Sequence, residues 1–384
     1  MNWLLNESNF TWTDRLKICS FFVNKNKYWT MSDEVVSFEN KMANYVGSKY
    51  AVFVSSGSTA NALLAMYLKD HLSKKKVIVF PSTTWITSVS RFIREGFTPH
   101  FIDISLKDLA MDLDKLELYL KKNGGKVACV FITSLLGFSP DIDRLKKIEK
   151  KYKVKIMMDN CESTFTTYKS KNISSYFTST TSTYFGHHLQ SVEGGFIFTN
   201  DEREYEYFLM SRNHGMTRSL SKNKELYANP DVDSRFDFRF LGDNYRNTNI
   251  NAFIGQLDFA RVDKYVEIRK DFYDYFYELC QPLSKNVLTI ERKQEDVPFS
   301  LPFVLPSKKA RAEMQKHCSE NNIENRPIIS GNLVRQTCLK KYGNPLKFTN
   351  SEILHHRGLY VGLHGKVLRK NIQSLVNTIV DISA

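Results

Sequence analysis

Two adjacent histidines, His187 and His188, stand a few residues ahead of the triplet Glu193-Gly194-Gly195. An imidazole titrates near neutrality, so one placed at a cavity wall can take up a proton in one step and return it in the next. The surrounding stretch, Phe177–Asn200, holds two runs rich in Thr, Tyr and Phe. Phe177–Phe185 and Gly195–Thr199 each read as a strand on that composition. A polar loop between two buried strands is a place where side chains meet a ligand, because loops carry function on a rigid scaffold. On these residues alone the stretch stays open between that reading and a plain hairpin whose imidazoles are solvated or bonded to nearby backbone.

Other candidates lie upstream. Asp159 closes the apolar run Lys155–Met158 and is followed by Asn160-Cys161-Glu162. A carboxylate at a strand's C-terminal edge either faces the ligand cleft of an open α/β sheet or caps the next turn. Trp85 follows the strand Val77–Phe80 in the same manner, as a platform for a ring or as an ordinary buried indole. The run Ser55-Ser56-Gly57-Ser58-Thr59-Ala60-Asn61-Ala62 leads from the strand Tyr50–Val54 into a helix. Backbone N–H groups and the positive dipole end of such a turn suit phosphate, although many α/β turns share the composition.

The elements that must position these groups alternate regularly. Helix, strand and helix follow as Ser88–Glu95, His100–Asp103, Asp114–Lys121, Cys129–Thr133 and Pro140–Lys151. That rhythm predicts an α/β fold with a mainly parallel sheet covered by helices on both faces. Ser32-Asp33-Glu34 predicts a helix start capped by the Ser32 side chain, with Val35, Phe38, Met42 and Val46 on one face and Gly47 as the stop. Residues 1–30 lack long periodicity and read as an arm that packs on a neighbour. A long helix, Arg261–Leu279, leads into strands at Leu301–Leu305 and Ile323–Ile328 and a helix at Lys309–Asn321. The expected organisation is a large domain with its arm over residues 1–260 and a smaller α+β domain over 261–384.

Composition excludes several classes. With 384 residues, 42% hydrophobic and 25% charged, the chain has ample core for a globular enzyme. No apolar run is long enough to span a bilayer, and the first residues lack a basic n-region, so no membrane and a cytoplasmic site are expected. The net charge of +13 favours anionic ligands, yet the lysines are spread and no nucleic-acid reading element accompanies them. Six scattered cysteines without a C-x-x-C pair argue against a metal or iron–sulfur site.

The spacing around His187 resembles the coenzyme-lysine segment of fold type I pyridoxal-phosphate enzymes, in the DegT group of nucleotide-sugar aminotransferases. There the pattern reads roughly S-F-x-x-x-K, five residues, then E-G-G. Counting back from Glu193 puts His187 at the lysine position, and no lysine occurs between Ser175 and Asn200. That departure resembles the PMP-dependent sugar 3-dehydratases of the same group. From about Thr30 onward the resemblance implies roles. Gly57, Ser58 and Ser56, with Ser182, bind the coenzyme phosphate; Trp85 stacks on its ring; Asp159 pairs with the ring nitrogen. Glu162 stands where relatives carry His or Gln and assists proton transfer. Ser211–Arg218 resembles an R-x-H-G segment and gives His214 and Arg218 as substrate-side residues, with Arg246. Asn244 corresponds to an asparagine that reaches the partner's coenzyme, implying a homodimer with active sites at the interface. Asn325-Arg326-Pro327, Ser330-Gly331-Asn332 and Tyr360–His364 resemble the substrate-side stretches of the small domain.

The implied activity is removal of the 3-hydroxyl from a GDP-linked 4-keto-6-deoxy sugar by PLP/PMP chemistry. His187 then carries the proton, and glutamate regenerates PMP through Arg218 or Arg246, since the isolated cysteines disfavour a reductase route. A sugar aminotransferase using a displaced lysine, or a non-catalytic nucleotide-sugar binder, are the alternatives.

Overall fold

A computed structural model describes residues 2–72, 74–220 and 222–383. Among the described residues thirteen strands form three sheets: β1 Tyr50–Val54, β2 Val77–Pro81, β3 Thr98–Ile102, β4 Val127–Thr133, β5 Lys155–Asp159, β6 Thr167–Tyr168, β7 Lys171–Asn172, β8 Thr178–Ser182, β9 Gly195–Thr199, β10 Leu288–Thr289, β11 Ser300–Val304, β12 Asn325–Arg326 and β13 Gly358–Gly362. The seven-stranded sheet has the order β1-β9-β8-β5-β4-β2-β3, parallel from β8 to β3 and antiparallel where β9 meets β8 and β1. Helices between consecutive strands cover both faces, which is why β4 is buried along its whole length and reads as a continuous apolar run. The α/β class and mainly parallel sheet are those the alternation predicted.

β8 departs from the expected strand. It stops at Ser182, and its five Thr and Ser residues are all buried. Buried hydroxyls cost free energy unless they are paired: Thr180 Oγ1 donates to Asn61 Oδ1 at 2.7 Å and Ser179 Oγ to the Ser174 carbonyl at 2.9 Å, while Thr181 Oγ1 has no partner among the described residues. Beyond Ser182 the chain leaves the sheet, and Tyr184 and Phe185 are exposed.

The second sheet, β10-β11-β13-β12, is antiparallel throughout. β12 is shorter than the predicted Ile323–Ile328 because Pro327 has no N–H to offer the ladder. One apolar cluster joins this sheet to Ile104, just past β3, and to Leu135, Leu136 and Phe138, just past β4, and Trp3 inserts into it. The two sheets are thus packed against each other, with the C-terminal ends of the parallel strands facing the seam.

Two helix starts differ from expectation. Ser32 makes no side-chain cap to the helix Asp33–Val46; Asn249 Oδ1 instead accepts from the Ser32 and Val35 N–H groups, at 2.8 and 3.3 Å. Residues 12–23 form a helix closed by a capping box: Asp14 N–H donates to Thr11 Oγ1, and Thr11 N–H donates to Asp14 Oδ2 at 2.8 Å. Phe21 of this helix stacks on Phe253 while Trp12, Leu16 and Val23 stay exposed. Residues 3–7, by contrast, lie on the second sheet of their own chain, where Trp3 pairs with Ile323. No helix among the described residues is long and apolar enough to cross a membrane.

Candidate active site

A cavity of about 590 Å³ opens at the seam between the two sheets. Ser56, Gly57 and Ser58 reach it from the end of β1, Trp85 from β2, Asp159 and Glu162 from β5, and Ser182 and His187 from β8. Four separate strand ends therefore bring together eight of the residues singled out in the sequence, as the C-terminal edge of an open α/β sheet does. Arg326 and Tyr360 close the cavity from the second sheet.

The phosphate-type turn is built by close backbone contact. A Cβ on Gly195 would lie 2.5 Å from Gly57 N, and one on Gly57 would lie 2.8 Å from Cys161 Sγ. The second glycine of the E-G-G triplet is thus what lets β9 run under the turn. Ser56 caps the following helix, Gly57–Leu72: its Oγ accepts from Thr59 N–H at 3.1 Å and its carbonyl from Ala60 N–H at 3.0 Å. The N–H groups of Gly57 and Ser58, in the first turn of a 16-residue helix, have no intrahelical acceptor and point with the positive end of its dipole.

Asp159 is buried, and three donors hold its carboxylate. Asn61 Nδ2 and Ser88 Oγ donate to Oδ2 at 2.8 and 2.6 Å, and Cys161 N–H donates to Oδ1 at 3.1 Å. Sequence reading missed Asn61 and Ser88. Neither has chemistry of its own, and only their helical offset of four from Gly57 and three from Trp85 hints that they face the same way.

The two histidines separate. His187 lines the cavity, and its Nδ1 lies 2.7 Å from the Cys161 carbonyl oxygen. A carbonyl only accepts, so Nδ1 carries the proton and Nε2 keeps its lone pair. Burial lowers the pKa of this ring, with the Cys161 carbonyl opposing, so the neutral form prevails at neutral pH. Phe299 meets the ring edge-on at 5.5 Å between centroids. His188 does not line the cavity; it packs behind, also edge-on to Phe299, with Nε2 3.4 Å from the Pro298 carbonyl. Burial drives its pKa well below the ordinary value.

Glu162 is the second titratable group at the wall. Burial pushes its carboxyl up to about 8, against the Leu136 N–H that donates to Oε2 at 3.0 Å and with the charge of Asp159 adding to the rise.

His214, Arg218, Asn244 and Arg246 do not line this cavity. Arg246 Nη1 sits 2.9 Å from His214 Nε2 and donates to Asn213 Oδ1. Arg218 lies over the Phe236 ring, 5.9 Å from its centroid. The backbone of 244–246 runs beside the end of β1, where Ser55 N–H donates to the Tyr245 carbonyl at 3.0 Å. Arg326 and Tyr360, flagged only as parts of motifs, are the small-sheet side chains that do reach the cavity.

The chain matches the DegT/DnrJ/EryC1/StrS aminotransferase family over residues 21–380. GDP-4-keto-6-deoxy-D-mannose 3-dehydratase of Yersinia pseudotuberculosis is 31% identical over 382 residues, spanning 96% of either chain. The E. coli GDP-4-keto-6-deoxy-D-mannose 3-dehydratase, solved with bound hydrated PLP, superposes with a TM-score of 0.90 at 28% identity, covering 99% of both chains. A structure of GDP-4-keto-6-deoxymannose 3-dehydratase with a trapped PLP-glutamate geminal diamine gives 0.90 at 28%, covering 98% of this chain and all of the other.

Proposed function

The chain belongs to the DegT/DnrJ/EryC1/StrS aminotransferase family, and from that premise we propose that it is a PLP/PMP-dependent dehydratase. Its substrate is a GDP-linked 4-keto-6-deoxyhexose, GDP-4-keto-6-deoxymannose, from which it removes the 3-hydroxyl with glutamate as electron source. The observation that carries this reading is the His187 imidazole at the cavity wall with Nε2 free, and no lysine among the described residues lining that cavity. A lysine amine would tether the coenzyme covalently and free an amino sugar from it by exchange; an imidazole in its place can do neither and is left with moving protons. The aminotransferase alternative needs a lysine in the cavity and loses support accordingly.

The cavity suits a phosphorylated pyridine. Gly57 and Ser58 N–H groups and the Ser56 and Ser182 hydroxyls would hold the phosphate, Asp159 the ring nitrogen and Trp85 the ring face, all of them residues that line the cavity. Bound PMP supplies an amine that condenses with the sugar ketone and a ring that takes up electrons. His187 accepts a proton at Nε2 and then, charged, delivers it to the departing 3-hydroxyl. Its Nδ1–H stays on the Cys161 carbonyl throughout, which keeps Nε2 aimed inward. Glu162, holding its proton below about pH 8, is a second proton source at the same wall. The overall conversion balances when the sugar loses its 3-oxygen and glutamate leaves as 2-oxoglutarate and ammonia.

The working form is read as a homodimer. Trp12, Leu16, Val23 and Trp29 leave apolar surface exposed, and Asn244, His214, Arg218 and Arg246 lie outside their own chain's cavity, where they would serve the partner's site. Arg218 or Arg246 then receives a glutamate carboxylate, which an arginine fork binds in two parallel hydrogen bonds. The test is spectroscopic: PLP-loaded protein given glutamate without sugar should change from the absorbance of PLP to that of PMP, and an unchanged spectrum removes the glutamate step.

A further inference from the structure

Asn6 reaches from a distant part of the chain into the turn that carries His187. Tyr184-Phe185-Gly186-His187 is a β-turn closed by the His187 N–H donating to the Tyr184 carbonyl at 2.9 Å. The middle peptide of such a turn, here the Phe185 carbonyl with the Gly186 N–H, takes no part in the closing bond and is the unit that differs between types I and II. Type II needs a positive φ at the third residue, which glycine adopts at no steric cost. Gly186 occupies that position yet is not among the glycines with positive φ. The turn's own sequence thus leaves both orientations open, and one is taken.

A hydrogen bond from outside meets the orientation taken. Asn6 Nδ2 donates to the Phe185 carbonyl at 2.5 Å, and Asn6 is itself buried. Asn6, Phe185 and Gly186 all line the cavity, so a flip would turn that peptide's polar groups over at its wall. Asn6 is in turn anchored on the second sheet. The Trp3 indole donates to the Gly362 carbonyl at 2.9 Å, and Leu5 N–H donates to Glu324 Oε2 at 2.9 Å. A Cβ on Gly362 would lie 2.2 Å from the Leu4 carbonyl oxygen, so a glycine there is what lets the segment lie flat on β13.

We propose that Asn6 is a positioning residue for His187: by fixing the Phe185–Gly186 peptide it holds the turn that aims Nε2 into the cavity. The proposal rests on the reading of His187 as the proton carrier.

The test compares full-length Asn6→Asp, an isostere that cannot donate while ionised, with Asn6→Ala and the double variant Asn6→Ala/Gly186→Ala. Hydrogen exchange over residues 183–190 is read without substrate, alongside kcat, KM and the thermal midpoint. Exchange should rise several-fold in both single variants, and kcat should fall roughly three- to tenfold, the worth of one hydrogen bond, with KM and the midpoint near wild type. Alanine at 186 disfavours positive φ, so the double variant should regain part of both losses; the nearest atom to its Cβ is Tyr184 Cε1 at 3.2 Å, on an exposed ring. Unchanged exchange in Asn6→Asp overturns the proposal whatever the activity. A kcat loss that follows a fallen midpoint and is not relieved by Gly186→Ala also overturns it, leaving Asn6 as a mere anchor. His187→Asn run beside them separates the two readings: full turnover in that variant removes the role of His187 and the positioning role with it, whereas an inactive His187→Asn with unchanged exchange in Asn6→Asp removes the positioning role alone.

Discussion

At His187 the chemistry turns on which ring nitrogen is free. The Cys161 carbonyl fixes Nδ1–H, so the proposed proton acceptor is the neutral ring, whose fraction grows as pH rises. Burial lowers that pKa below the ordinary imidazole value, which puts the acid limb of a rate profile below about 6.5. Glu162 works in the opposite sense. In its proposed role it would donate only while protonated, and its pKa, raised by burial to about 8, would put an alkaline limb there. The profile of kcat/KM should therefore be bell-shaped, and Glu162→Gln should flatten the alkaline limb while leaving the acid limb in place. An alkaline limb that persists in Glu162→Gln assigns it to another group. That His187 stands at the cavity wall was legible in the sequence, because the family's spacing to Glu193-Gly194-Gly195 points to it. The tautomer was not, since it depends on a carbonyl 26 residues away. Asn61 and Ser88 were hidden for the same reason: they act only through a carboxylate that folding brings to them.

Among the elements, the parallel strands were the easiest to read, because burial on both faces writes them as short apolar runs. β8 was harder, since its buried face is made of hydroxyls whose acceptors come from other elements. Helix starts divided by the origin of their caps. The local box at Thr11 and Asp14 was visible as spacing and went unread, whereas the cap at Ser32 comes from Asn249, 217 residues on, and no local signal announces it. Asn249→Ala should remove the bonds from the Ser32 and Val35 N–H groups together with those its Nδ2 donates to the Tyr28 carbonyl and Asp33 Oδ1, and lower stability by about 2 kcal/mol or more. A urea melt showing less than about 0.5 kcal/mol would mean the helix finds another cap. Because Asn249 is buried at the start of the helix Asn249–Phe259, the loss should appear in stability ahead of any change in coenzyme binding.

For the whole molecule, two sheets meet at a seam, and the cavity draws residues from both. The α/β architecture follows from the alternation of elements, but the lining by Arg326 and Tyr360 depends on how the second sheet docks, which no local pattern encodes. Nor does it encode where Asn244 and its neighbours end up, since a single chain leaves them outside its own cavity. If they complete the partner's site, His187→Asn and Asn244→Ala, each inactive alone, should on mixing and re-equilibration regain about a quarter of wild-type activity, because half the dimers are mixed and each has one intact site. Absence of recovery would place Asn244 in its own chain's site. The most direct test of the account is the product itself. Wild-type protein supplied with PLP, glutamate and GDP-4-keto-6-deoxymannose should yield a nucleotide sugar lighter by one oxygen, and His187→Asn should yield none. A product carrying nitrogen in place of the ketone oxygen would contradict it.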